Sequence, residues 1–381
     1  AGIATQAVVE KRLMKEQNKR RTDFTREQFV EQVQAWKDEY EGRITEQLKA
    51  MGCSCDFERQ RFTMDPVCAR AVREAFFILF DDGLIERGKR LVNWDPQLQT
   101  AVADDECYDE EIETSFWYLK YPLVRPRNGQ GANGQMPNGQ MAKSDCVAVL
   151  WGELAARGYA KPDGVGEEVQ AWVTVATTRP ETYLGDTAVA VNPNDPRWEK
   201  LKGLWAELPL VGRVIPIVAD AYVVLPKAMA EALGRHEEAK DAKAEYATGF
   251  LKVTPAHDEN DYQLGQRHGL AMINMMSPDG RVSDKHGWSD VGEAGVFVGM
   301  KMGEARKAVV KALEERGLLE KTRPYRQTVT RSDRSKAIIE PYLSDQWYVR
   351  VTDERMAGAA NGALASSGTS PKRERGDSSA T

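Results

Sequence analysis

At 381 residues and 41% hydrophobic composition, the chain is long enough for two globular domains with packed cores. A net charge of -6 argues against binding nucleic acid through overall charge and leaves local basic patches as the electrostatic route to phosphates. No apolar run nears the roughly 18 residues a membrane span requires, so a soluble, cytoplasmic protein is expected.

The opening AGIATQAVVEKRL lacks the regions of a signal peptide, and Ala1 in place of Met suggests that the natural start has been lost. Thr25 and Gln28 have capping-box spacing. After them Phe29, Val33, Trp36, Tyr40, Ile44 and Leu48 recur every three or four residues up to Gly52, which predicts a helix with a buried stripe. Among the five cysteines only Cys53 and Cys55 lie close together, which fits neither a disulfide framework nor a paired CxxC zinc site and suggests reduced thiols. Asp65 and Pro66 supply an N-cap and a first helical position, and Val72, Phe76, Leu79 and Phe80 form a second stripe up to Gly83.

From Phe116 the pattern changes. FWYLKYPL is aromatic and strand-like, and Val169, Ala171, Val173 and Val175 alternate with more polar neighbours. Further strand-type runs at 187–191, 214–218 and 295–300 predict a β-rich middle, closed by an amphipathic helix marked by Ala305, Val309 and Leu313. Three stretches read as peripheral. The Gly/Asn/Gln-rich 125–143 is expected to be a flexible loop, the Ala- and charge-rich 226–247 an exposed helix, and 356–381 a disordered tail.

Two segments carry the chemistry: VATTRPETYLGDTAVAVNP at 175–193 and GFLKVTPAHDENDYQLGQRHGL at 249–270. Each joins short polar residues, a cation and carboxylates to strand or helix signals, so the two can line one cleft. Pro255 suits a helix start, which puts Asp258 and Asp261 on one face of the first turns. There the helix dipole favours their charged form, able to hold an ammonium group at neutral pH, although the same acids serve equally well as simple helix caps. His257 beside two acids hints at a metal, but neither His268 nor the cysteines complete a tetrahedral set, so no metal is expected. Arg179 and Glu181 read either as site residues or as a surface ion pair.

Together with AGIATQAVVEKRL, DFERQRFTMD, GLIERGKRLVNWDPQLQTAVADDE and IIEPYLSDQWYV, these segments run in one order over most of residues 1–355. The chain thereby resembles the class I aminoacyl-tRNA synthetases for valine, isoleucine and leucine, and AGIATQ, RLVNWDP and SDQWYV favour the valyl branch. The resemblance implies an α/β fold: part of a Rossmann-type catalytic domain at 1–115, an inserted β-rich α+β editing domain at 116–335, and a return to the catalytic domain at 336–355. It also implies tRNA(Val), valine and threonine as partners of a monomeric parent enzyme that uses ATP and Mg2+. No two of His236, His257, His268 and His286 are three apart, and Lys-Met-Ser does not occur, so both ATP signatures, HxGH and KMSKS, are missing. The segment 226–247 replaces a much shorter one in the family.

What remains by resemblance is proofreading, with no cofactor. An apolar pocket cannot strongly reject an isostere that merely adds a hydroxyl, so threonine charged in place of valine must be removed at a second site. Asp261 is expected to hold the α-ammonium of the misattached residue. Lys252, Thr254 and Asp258 would surround its hydroxyl and the ester, while Thr177, Thr178 and Arg179, with Glu181 and His257, would bind the substrate and the tRNA end, the first three contacting the terminal adenosine and helping to place water. Hydrolysis would be direct attack by an oriented water. The competing expectations are a non-catalytic tRNA-binding remnant and a free-standing deacylase acting in trans.

Overall fold

A computed structural model describes residues 2–127 and 143–353. Most of the 125–143 loop and the whole 356–381 tail lie outside the described residues. The contacts divide the chain into two compact units, Ala1–Arg90 with Asp345–Thr381, and Leu91–Ser344.

The first unit is helical. Helix α1 (Gly2–Gln17) packs Val9 and Leu13 against Phe29 of α2 (Arg26–Ala50). The predicted capping box starts α2: Gln28 N donates to Thr25 Oγ1 at 3.3 Å, and Thr25 N donates to Gln28 Oε1 at 3.0 Å. Helix α3 (Pro66–Asp81) begins where Asp65 Oδ1 accepts from Val67 N and Cys68 N, at 2.9 and 2.8 Å. The buried stripes expected here form only in part. Val33 and Trp36 pack half-buried beside Phe29, and Trp347 lies edge-on to Phe76 and Phe80, but Ile44 is exposed, Val72 is 66% exposed and no residue of α3 is fully buried. The helical period identifies which side is apolar, and burial additionally needs a neighbour.

Strands β1 (Ile85–Asp95) and β2 (Thr100–Ala101) form a three-stranded sheet with the last strand, β11 (Glu340–Val349), in the order β11-β1-β2. The main sheet has eight strands, and its organiser is the 20-residue β3 (Cys107–Pro126). Along its length β3 pairs antiparallel with β10 (Leu319–Ser332), β5 (Trp172–Thr177), β7 (Trp205–Leu208) and β4 (Cys146–Ala148). The path β10-β3-β7-β8-β6-β9 continues through β8 (Arg213–Ala219) and β6 (Ala188–Val191) to β9 (Phe250–Val253). Parallel pairing of β6 with β8 and antiparallel pairing of β6 with β9 make the sheet mixed. The helices with it are α4 (Trp151–Ala156), α5 (Trp198–Leu201), α6 (Lys227–Ala232), α7 (Glu259–His268) and α8 (Met302–Glu315). Ala305, Val309 and Leu313 of α8 are buried, as the spacing predicts, and they join a core that includes Trp151, Trp288, Tyr121 and Tyr183. No described helix is long and apolar enough to cross a membrane.

Two expected elements differ. Residues 295–300 form no strand: Gly292–Phe297 is a 3-10 turn, because Gly292 and Gly299 adopt positive φ (54° and 89°) and turn the backbone on either side of the apolar run. The segment 226–247 is not one exposed helix. Pro226 starts the six-residue α6, and Lys227 N then donates to Ala244 O, folding the segment back so that Ala230 and Ala239 pack with Leu225. Its alanines are spent on a small core of their own.

Candidate functional site

The two chemistry-bearing segments meet in the second unit around a cavity of about 610 Å³. Strand alternation starts the arrangement. Lys252 lies on β9, Thr254 follows two residues later on the same side, and Lys252 Nζ donates to Thr254 Oγ1 at 2.5 Å. The chain then turns, with His257 N donating to Thr254 O, and enters α7. Helix α7 starts at Glu259 rather than at Pro255. Asp258 is its N-cap and accepts from Asn260 N at 2.9 Å and Asp261 N at 3.1 Å, which satisfies two of the free donors of the first turn.

Asp258 and Asp261 thus serve as caps and line the cavity as well. Asp261 Oδ2 accepts from Thr254 N at 2.8 Å, which ties the helix to the strand end. The dipole argument for a permanently charged Asp261 fails here. Burial, reinforced by the neighbouring Asp258 charge, pushes its carboxyl up to about 7. His257 is buried too, and burial together with the Arg179 and Lys252 charges drives its imidazole down to about 3. It is therefore neutral, and its Nε2 accepts from Met275 N at 3.1 Å. Among the described residues no group of three or more His, Cys, Asp or Glu is arranged to hold a metal ion.

From the other segment, Thr177, Thr178 and Arg179 line the same cavity. Thr177 Oγ1 accepts from Arg179 N at 3.0 Å, and Arg179 Nη1 donates to His257 O at 3.1 Å, which joins the two segments directly. Arg179 also pairs with Glu340 and, at 3.3 Å, with Glu181. Burial opposes its charge, but the two carboxylates more than offset this and hold the guanidinium above its ordinary value. The Arg179–Glu181 pair is therefore real but not on the surface. Glu181 is fully buried behind the wall and is gripped by Arg306 through two bonds of 2.8 Å. Burial alone would raise the Glu181 carboxyl; its arginines keep it below the usual range.

Sequence reasoning missed several residues. Asp186 sits behind Lys252 and Thr254, wholly buried, and accepts from Lys252 Nζ at 2.9 Å, Thr254 Oγ1 at 2.6 Å and Tyr121 OH at 2.6 Å. The chain can reach this position because Gly185 has no side chain: a Cβ there would lie 3.1 Å from both Ile273 O and Thr254 Cγ2. The short LGD sequence preceding a strand was the only available signal. Phe116, Tyr246 and Tyr325 form an aromatic group on the cavity wall, with ring centroids 4.6 to 5.1 Å apart and Arg323 over Tyr246 at 4.5 Å. A Ser–His pair does occur, Ser283 Oγ with His286 Nδ1 at 2.8 Å, but neither residue lines the cavity. The arrangement offers a carboxyl that titrates near neutrality, a donor and acceptor held side by side, a fixed guanidinium and flat aromatic faces.

The family model for tRNA synthetases class I (I, L, M and V) matches residues 1–376. Among curated proteins, the chain is 45% identical to the valine–tRNA ligase of Protochlamydia amoebophila (strain UWE25) over 92% of its length and 30% of the relative's. It is 42% identical to the valine–tRNA ligase of Chlamydia abortus (strain DSM 27085 / S26/3), covering 93% of this chain and 30% of that protein. For the valine–tRNA ligase of Chlamydia pneumoniae the identity is 41%, over 94% and 30%. The chain therefore spans about a third of the length of the relatives it matches.

Proposed function

Because the chain belongs to the class I tRNA synthetases, we propose that its cavity is the proofreading site of a valine–tRNA ligase, hydrolysing threonine misattached to tRNA(Val). In this reading the β-rich region from about 116 to 335 is an editing domain inserted into a Rossmann-type catalytic domain. The parent enzyme would be cytoplasmic and monomeric, joining valine to tRNA(Val) with ATP and Mg2+. The residues present do not fit that first reaction. Both ATP signatures are missing from the sequence, and no described carboxylate cluster suits a divalent ion, so no step is assigned to either group.

The observation that carries the reading is Asp261, a buried carboxyl on the wall of a cavity that also holds Lys252, Thr254, Asp258 and Arg179. An arriving α-ammonium supplies the opposite charge that Asp261 lacks, so binding draws its proton off and forms a desolvated ion pair. Lys252 and Thr254 meet the threonine hydroxyl, and Asp258 faces the ester. Thr177, Thr178 and Arg179 hold the terminal ribose and phosphate, and the aromatic group gives the adjoining bases a stacking face. Water then adds to the ester carbonyl, the bond from the carbonyl carbon to the ribose oxygen breaks, and that oxygen takes up the proton lost by the water, so free threonine and an intact tRNA end leave. Rate enhancement comes from positioning and fixed charges rather than from a covalent intermediate.

The test is deacylation of threonyl-tRNA(Val) by the chain. Asp261→Ala should lower kcat/KM by at least about a hundredfold with an unchanged circular dichroism spectrum. A wild-type chain that binds the charged tRNA but leaves its ester intact would establish a binding remnant instead.

A further inference from the structure

We infer that Asp186, buried behind the cavity wall, is a positioning residue that sets the site's preference for a hydroxyl by fixing which neighbouring polar atoms donate and which accept. The inference rests on the deacylase reading above and extends it from what is bound to how it is told apart.

The protons around Asp186 are few enough to place one by one. The Thr254 hydroxyl has one, and it goes to Asp186 Oδ1 at 2.6 Å. Of the two lone pairs on Thr254 Oγ1, one takes Lys252 Nζ at 2.5 Å and the other is left over. Lys252 has three N–H bonds; two are directed at Asp186 Oδ1 and Thr254 Oγ1, and the third is left over. Lys252 and Thr254 line the cavity, whereas Asp186 does not. The floor therefore presents one spare donor beside one spare acceptor, a pair that a hydroxyl completes and a methyl cannot.

Asp186 imposes this polarity, and it is itself held. Tyr121 OH donates to its second oxygen at 2.6 Å, and both residues are fully buried, so the carboxylate cannot swing away. With a neutral amide at 186, Lys252 would lose its buried counter-charge and the Thr254 proton would be free to rotate toward the cavity. The floor would then accept or donate without a fixed order, and a hydroxyl would gain little over a methyl.

The probes are two non-hydrolysable 2′-amides of adenosine, one carrying threonine and one carrying 2-aminobutyrate, which lacks the hydroxyl. Their Kd values for the full chain are measured by calorimetry. Wild type should prefer the threonyl compound by more than about tenfold, and Asp186→Asn should bring that ratio below about threefold. Thr254→Val should abolish the preference and Thr254→Ser should retain it, which keeps the inference testable even if Asp186→Asn does not fold. A ratio preserved in Asp186→Asn, including one preserved while both compounds weaken equally, overturns the positioning role. So does a ratio preserved in Thr254→Val. Wild-type protein that binds neither compound overturns the deacylase reading itself, and this inference with it.

Discussion

The two units treat their apolar residues differently. In the first, Val72, Phe77 and Ile78 of α3 are 66, 60 and 62% exposed, and among the described residues the buried cluster of α1 and α2 is limited to Val9, Leu13 and Phe29. In the second, one continuous core gathers residues from β3, β5, β6, β8 and α8 around fully buried tryptophans and tyrosines. Capping and periodicity operate equally well in both, so well-formed helices alone do not make a core. The candidate site lies wholly in the unit that is packed, where the buried charge of Glu181 is held from α8 and that of Asp186 from β3 and β9.

The contrast can be broken by truncating each unit in turn. Leu119, fully buried at the centre of β3 and paired with Val175, should cost about 2–5 kcal/mol when changed to alanine, read from urea unfolding. A loss below about 1 kcal/mol would show a loose core in the second unit.

A sharper probe is pH, because buried ionisable groups of this kind sit in the packed unit. His257 titrates at about 3 when folded, against 6.5 ordinarily, so below 6.5 the unfolded chain binds a proton that the folded chain refuses. Stability from this group is complete above 6.5 and is lost as pH falls through the window down to about 3, at up to about 1.4 kcal/mol per pH unit. Asp261, whose carboxyl is raised, contributes a slope of opposite sign, but it is common to wild type and His257→Gln. The difference between the two proteins should therefore show the histidine slope alone, and parallel stability curves would contradict its burial. The smallest effect belongs to the first unit: Phe77→Ser should change stability by no more than about 0.5 kcal/mol while lowering aggregation in light scattering. A loss of several kcal/mol would mean that Phe77 is covered in solution.

Much of this was legible in the residues. Thr25, Gln28, Asp65 and Asp258 act within three positions of themselves, so their caps can be seen in a single stretch of sequence. Thr177, Thr178, Arg179, Lys252, Thr254, His257, Asp258 and Asp261 were legible as cavity residues because they fall in two contiguous segments. What escaped depends on distance along the chain. Asp186 matters only through Tyr121, Lys252 and Thr254, and Glu181 was read as a partner of Arg179 alone because Arg306 and Glu340 are remote in sequence. Tyr246 belongs to a segment that looked peripheral until its fold brought the ring against Phe116. The run at 295–300 was misread because apolar spacing says nothing of glycines that turn the backbone at positive φ.

The quartet formed by the half-buried Arg179, Arg306 and Glu340 and the buried Glu181 carries no net charge when all four are ionised. A polynucleotide reaching the cavity therefore meets a guanidinium whose field is already cancelled nearby, and few counterions are released when it docks there. In the proposed contact with the tRNA end, Arg179 would contribute shape and hydrogen-bond direction instead of long-range pull. A salt titration of RNA binding should accordingly keep nearly the same slope in Arg179→Lys, which retains the charge and loses the planar fork, even as affinity falls.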